Sequence, residues 1–147
     1  MQFQREKFSD FLDEALPLFM EHYHEAGNFQ KDLKFDLDIE TFLKLDDNDR
    51  LRVYTARADG ILAGYCIHHV YNHLHFRNSL HAIQDAIYLI KEQRGNGKRF
   101  IDWIDGQLKS EGVDAVYHYV TLKHDYSRTL ISLGYERADS TYIRRLH

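Results

Sequence analysis

The chain has 147 residues, 44% hydrophobic and 14% aromatic, enough to bury one core and too few for two independent ones. Nineteen Lys and Arg against 23 Asp and Glu leave a net charge of −4, which removes the basic footprint of a nucleic-acid binder. A single cysteine, Cys66, excludes an internal disulfide and a multi-cysteine metal site, and suits a reducing, cytoplasmic setting. No apolar run approaches the roughly 20 residues of a membrane helix. The opening residues, MQFQREKFSD, lack the apolar stretch of a signal peptide. A single domain spanning residues 1–147, with no membrane partner, is the expectation.

In chain order, a short strand is expected at Gln2 to Arg5. Phe8, Phe11, Leu12, Ala15 and Leu16 then follow the spacing of an amphipathic helix. Pro17 interrupts it, because proline has no amide hydrogen and sits best in a first turn. Pro17 to Ala26 is therefore a fresh helix or a kinked continuation, with Gly27 and Asn28 as stop residues. Leu37 to Leu45 reads as a second helix ending in a solvated acidic turn, Asp46 to Asp49. From Leu51 the period becomes two, and Asp59-Gly60 marks a hairpin before a strand from Ile61 to Leu74. Phe76 to Ser79 offers turn chemistry before a third run, Leu80 to Ile90.

Glu92 to Lys98 is a loop carrying Gly95 and Gly97. Phe100, Ile101, Trp103, Ile104 and Leu108 then form one helical stripe closed by Gly112. Val113 to Leu122 is strand-like again, so this stretch spells strand, glycine loop, helix, parallel strand. A helix over Tyr126 to Leu133 ends at Gly134, and Tyr135 to Leu146 predicts a terminal strand or hairpin.

A strand that enters a glycine loop and opens a helix points several backbone N–H groups at one spot, backed by the positive end of the helix dipole. Arg94, Lys98 and Arg99 add local positive charge to a net acidic chain. The expected ligand is a diphosphate-like anion. The loop is not a GxxxxGK[ST] phosphate loop, and Phe100 stands where GxGxxG needs glycine.

Arg94-Gly95-Asn96-Gly97-Lys98-Arg99 resembles the [QR]-x-x-G-x-[GA] signature of the GNAT superfamily of acyl-coenzyme A dependent N-acyltransferases, except that Arg99 stands at its small last position. Asp59 to Tyr65 is similar to that family's hairpin, Leu133-Gly134-Tyr135-Glu136 to its last helix end, and Tyr142 to Leu146 to its final strand. His73-Leu74-His75-Phe76 and Asp85 to Leu89 are most similar to small acetyltransferases of phages and prophages.

The resemblance implies an α/β (α+β) fold with a mixed, mostly antiparallel sheet flanked by helices. It implies transfer of an acetyl group from acetyl-coenzyme A to a primary amine, on a small molecule or a protein, by direct attack in a ternary complex. It also implies that Ile87, Tyr88 and Leu89 bind the pantetheine arm as an added strand would, with Arg94, Gly95, Asn96, Gly97, Lys98 and Arg99 holding the pyrophosphate. The alternative is a catalytically weak or inactive protein of this fold acting as a protein-binding module, which Arg99 and Leu130 favour.

Amine attack needs a proton acceptor, an oxyanion donor and a proton for the leaving thiolate. Asp85 is the candidate base, against an equally open structural reading. The family's acid is a tyrosine where this chain has Leu130, so Tyr126, one turn earlier, and His124 become the candidates. Glu21 and Glu25 share a helix face suited to a cationic amine, unless that face is simply solvated.

Alternation puts His69, His73 and His75 on one strand face, yet no second-strand ligands or supporting partners are evident, so no native metal is expected. His75 instead lines the substrate cleft or pairs across the hairpin with His81. A homodimer through an edge strand or Tyr142 to Leu146 is also open.

Overall fold

The computed structural model describes residues 1–26 and 33–147; the expected stop residues Gly27 and Asn28 lie outside them. Strand β1 (Gln2–Glu6) leads into helix α1 (Phe8–Ala26). Helix α2 (Ile39–Asp47) follows, and then strands β2 (Leu51–Ala58), β3 (Ile61–His73) and β4 (Phe76–Leu89). A 3-10 turn (Lys91–Asn96), helix α3 (Gly97–Ser110), strand β5 (Ala115–Tyr117) and helix α4 (Ser127–Ser132) complete the order.

The sheet runs β1-β2-β3-β4-β5, antiparallel throughout except for the parallel β4–β5 pair that α3 connects. On one face Phe8, Phe11, Ala15 and Phe19 of α1 bury against Val53, Tyr65, Ile67 and Tyr88. On the other, Phe100, Ile104 and Leu108 of α3 cover Tyr54, Cys66, Ala82 and Leu89. Fully burying side chains of this size contributes about 1.5–3 kcal/mol each, which fixes α1 and α3 on opposite sides of β4.

Pro17 does not divide α1. The ring lies on the exposed side, so the carbonyl it leaves without an amide partner faces water. The acidic turn is not merely solvated: Asp46 Oδ2 accepts the Phe8 amide at 2.8 Å and caps α1, and Asp49 pairs with Arg52 at 3.0 Å.

The β3–β4 turn falls at Leu74 and His75 rather than at Phe76 to Ser79. Asn72 pairs with Leu80 and His73 with Phe76, so Arg77, Asn78 and Ser79 form a bulge in β4, secured by the Asn72 amide donating to the Arg77 carbonyl at 3.1 Å. The expected terminal strand is absent among the described residues: 136–147 are exposed, with Tyr142 93% accessible. Strand β5 is likewise only Ala115–Tyr117, because its partner turns away beyond Ile83.

A second bulge in β4 decides the site. Ile67 pairs with Ala86 and His68 with Gln84, which leaves Asp85 as the extra residue. Before it, Leu80 and Ala82 face α3; after it, Ala86 and Tyr88 face α1 while Ile87 and Leu89 face α3.

Candidate active site

The Asp85 bulge sits where β4 leaves β5. Pairing to β5 ends at Ile83–Tyr117, and the Gln84 side chain takes over by accepting the Tyr119 amide at 3.2 Å. Beyond it, among the described residues, no strand pairs with that edge of β4. The opening widens into a cleft of about 1240 Å³ whose lining includes Asp85, Ile87, Tyr88, Leu89, Tyr126 and His124. Gly64 on β3 permits this arrangement. An added Cβ there would stand 2.4 Å from Leu89 Cδ2 and 2.5 Å from the Tyr88 carbonyl oxygen, so no larger residue lets the end of β4 lie so close.

At one end of the cleft the glycine loop enters α3. Gly95, Gly97 and Lys98 line the cleft, and the space over Gly95 is open, with nothing within 4 Å of an added Cβ. The first turn of α3 carries no acidic residue but does carry Lys98 and Arg99. Cations at a helix N-terminus cost about 0.3–1 kcal/mol each unless an anion offsets them.

Arg94 braces this loop. Its Nε donates to the Leu89 carbonyl at 3.1 Å, its Nη2 to Glu25 at 2.5 Å, and its guanidinium lies 5.8 Å from the Tyr88 ring centroid. Asn96 and Arg99 fall outside the cleft lining. Asn96 bonds Gln93 at 3.0 Å, and Arg99 donates to Asn96 at 3.2 Å while covering the Phe3 ring at 5.7 Å.

Asp85 Oδ1 accepts from His69 Nε2 at 3.1 Å, and both side chains stay about a third exposed, at 34% and 37%. Tyr126 shares a 3.1 Å hydrogen bond through its hydroxyl with His118 Nδ1; burial pushes the phenol up and His118 down to about 4, which keeps both neutral at pH 7. Leu130, where the resemblance looks for a tyrosine, is the buried residue of α4. His124 Nε2 donates to the Glu25 carbonyl at 2.9 Å, tying the loop before α4 to the end of α1.

Glu21 and Glu25 do not present a free acidic face. Glu21 accepts from the Tyr88 hydroxyl at 3.0 Å, and Tyr88, through burial and this bond, is pushed up to about 12. His22 stacks on Tyr88 at 5.1 Å and shares a 2.8 Å hydrogen bond with Tyr65; its burial lowers its basicity. His75 is at the β3–β4 turn, away from the cleft lining, and it is His73 that meets His81, at 4.8 Å between ring centres. The bulge at Arg77 to Ser79 changes that register, so simple alternation misplaces the histidines. Among the described residues no cluster of three His, Cys, Asp or Glu is arranged to hold a metal.

His118, Gln84 and Gly64 are site residues that local spacing does not single out, and His69, which alternation groups with His73 and His75, meets Asp85 instead. Gln84 and His118 are placed by the splay between β4 and β5, which no sequence period encodes.

Solved acetyltransferases share this architecture across nearly the whole chain. The ribosomal-protein-alanine N-acetyltransferase of Brucella melitensis biovar Abortus 2308 is 19% identical, over 99% of this chain and 100% of its own, with a TM-score of 0.72. A predicted acetyltransferase of Clostridium acetobutylicum, solved with acetyl-CoA, is 11% identical over 99% and 96%, with a TM-score of 0.72. The aminoglycoside acetyltransferase meta-AAC0020 from an uncultured soil metagenomic sample, in complex with sisomicin, is 16% identical over 99% and 94%, with a TM-score of 0.67. The fold is thus the GNAT acetyltransferase fold that the motifs imply. No protein-family model matches the chain, and no curated protein matches it.

Proposed function

We propose that this protein transfers an acetyl group from acetyl-coenzyme A to a primary amine. The observation that carries the reading is the single cleft in which the unpaired edge of β4, the glycine loop and the Asp85 bulge converge. The residues present fit the coenzyme: an open strand edge at Ile87 to Leu89 suits an amide-bearing arm. The open surface over Gly95 and Gly97, with Lys98, suits phosphates. When bound, the coenzyme supplies the acetyl thioester.

Asp85 takes a proton from the substrate ammonium and frees its lone pair, while His69 fixes the carboxylate. The amine nitrogen bonds the acyl carbon as the carbon–sulfur bond breaks, and the second proton that the nitrogen then sheds passes through solvent to restore Tyr126. Backbone N–H groups on the open edge of β4 are the donors for the developing oxyanion. Tyr126 is the proton source for the sulfur: burial keeps it protonated, and His118 orients its hydroxyl. His124 and Glu25 close the wall beside it, and Arg94 holds the loop in register.

Calorimetry of acetyl-coenzyme A against desulfo-coenzyme A and ATP tests the reading. Micromolar binding selective for the coenzymes supports it. No binding at millimolar acetyl-coenzyme A overturns it and leaves a protein of this fold that grips a partner instead.

A further inference from the structure

We propose that His68 is a positioning residue for the step that protonates the coenzyme sulfur. With His118 and one water held between them, it forms a one-way hydrogen-bond chain that leaves the Tyr126 hydroxyl hydrogen facing the cleft. The inference deepens the acetyl-transfer reading and rests on it. Tyr126 lines the cleft, whereas His118 and His68 stand behind it, outside the lining. Among the described residues three buried side-chain polar atoms make no hydrogen bond, and two of them are His68 Nε2 and His118 Nε2. The third is the hydroxyl of Tyr54, whose ring packs edge-on against His68 at 6.1 Å. Buried polar groups of this kind find a partner in the protein or in an ordered water. The two imidazoles cross at 84° with 5.9 Å between ring centres. No direct bond joins them, and the separation suits one oxygen at about 2.9 Å from each nitrogen.

The far end of the chain fixes its direction. Cys66 Sγ lies 3.7 Å from His68 Nδ1. Sulfur is a weak acceptor, so the thiol donates to Nδ1 and neutral His68 carries its hydrogen on Nε2. That N–H donates to the water, and the water donates to His118 Nε2, which places the His118 hydrogen on Nδ1. His118 Nδ1 then donates to the Tyr126 hydroxyl oxygen at 3.1 Å, and the hydroxyl's own hydrogen is free to point into the cleft. Burial keeps every link neutral: it holds the Cys66 thiol protonated and lowers His68 to about 3 and His118 to about 4. As the carbon–sulfur bond breaks, the Tyr126 O–H bond breaks and an S–H bond forms. The phenolate oxygen left behind keeps its bond from His118 Nδ1 until solvent returns the proton. The opposite direction would spend the Tyr126 hydrogen on His118.

Proton–nitrogen correlation NMR of the full chain, free of ligand, reads the tautomers. The hydrogen is expected on Nδ1 of His118 and on Nε2 of His68; a hydrogen on His118 Nε2 or His68 Nδ1 overturns the chain. A crystal structure is expected to show a water within about 3.2 Å of both Nε2 atoms, and a gap without one overturns the proposal too. Calorimetry reads the consequence: coenzyme A should bind about threefold more tightly than desulfo-coenzyme A, the effect of one net hydrogen bond. Tyr126→Phe and His68→Leu should each abolish that preference, and His68→Gln, which keeps a side-chain N–H, should retain it. Equal affinity for the two coenzymes in the unaltered protein, or a preference that survives His68→Leu, overturns the proposal. A protein that binds neither overturns the acetyl-transfer reading itself. Should His68→Leu fail to fold, the tautomers and the water of the unaltered chain still decide.

Discussion

His69 reaches across the β3–β4 pair to Asp85, Nε2 to Oδ1 at 3.1 Å, at the one position where β4 carries an extra residue between Gln84 and Ala86. A carboxylate held this way is directed rather than merely solvated. Asp85→Asn keeps an acceptor for His69, so the fold survives. Turnover is expected to fall about 10²-fold or more, the range for loss of a general base, with acetyl-coenzyme A affinity unchanged. Loss of folding in thermal denaturation would show instead that the carboxylate is structural.

Gly97 opens α3 with right-handed helical dihedrals, and a Cβ there meets only Leu89 Cδ1, at 3.9 Å. Gly97→Glu therefore fits the free protein, and replacing a helical glycine stabilises by up to about 1 kcal/mol. The same carboxylate occupies the phosphate surface with like charge. Calorimetry should show no acetyl-coenzyme A binding while Tm is unchanged or raised; undiminished binding would place the phosphates elsewhere.

Gly64 has no such freedom. Its added Cβ meets the Tyr88 carbonyl oxygen at 2.5 Å, a backbone atom that cannot rotate away. Gly64→Ala is expected to cost on the order of 2–4 kcal/mol and to lower Tm by at least about 5 °C. A Tm equal to the unaltered protein would mean that β4 yields easily at Leu89.

Asp105 provides a pH signature. Burial raises its carboxyl to about 6, opposed by the Tyr135 hydroxyl donating at 2.8 Å. The folded value lies above the unfolded one, about 3.9. Its contribution to stability is thus complete below about pH 4 and lost as pH rises through about 6. Asp105→Asn keeps an acceptor for Tyr135. Relative to the unaltered chain it should gain about 1 kcal/mol at pH 8, discounted for solvent screening, and nothing at pH 4. Burial also lowers His118 to about 4, but both proteins share that term and it cancels. An equal difference at the two pH values in denaturant unfolding would contradict the assignment.

Much of this is readable from the chain because it is local. Asp59 and Gly60 both adopt positive φ, 51° and 80°, as an Asp-Gly hairpin turn requires, and Gly112 and Gly134 close their helices at 86° and 94°. The glycine loop, α3 and the candidacy of Asp85 follow from equally short patterns. What is not readable depends on pairing between distant segments. Arg77 to Ser79 have turn chemistry but serve as a bulge, which moves His75 out of the site and sets His73 against His81. Glu21 and Glu25 look like a free acidic face until Tyr88 and Arg94 arrive from β4 and the loop. The resemblance to a final strand over Tyr142 to Leu146 finds no partner strand among the described residues.

The extra residue at Asp85 also acts as a shift of phase. Alternation along β4 restarts there, because the residue offered as proton acceptor is the one the ladder skips, while Gln84 and Ala86 on either side keep step with His68 and Ile67. Chemistry and fold are thus separable at one position: the first depends on what the side chain is, and the second closes its ladder without it. Exchanging Asp85 alters only the first. Deleting it would set Ala86 directly after Gln84, as Ile67 precedes His68 on the partner strand, so Tyr88 and Leu89 would keep their faces and only the bulge, with the carboxylate it displays, would be lost.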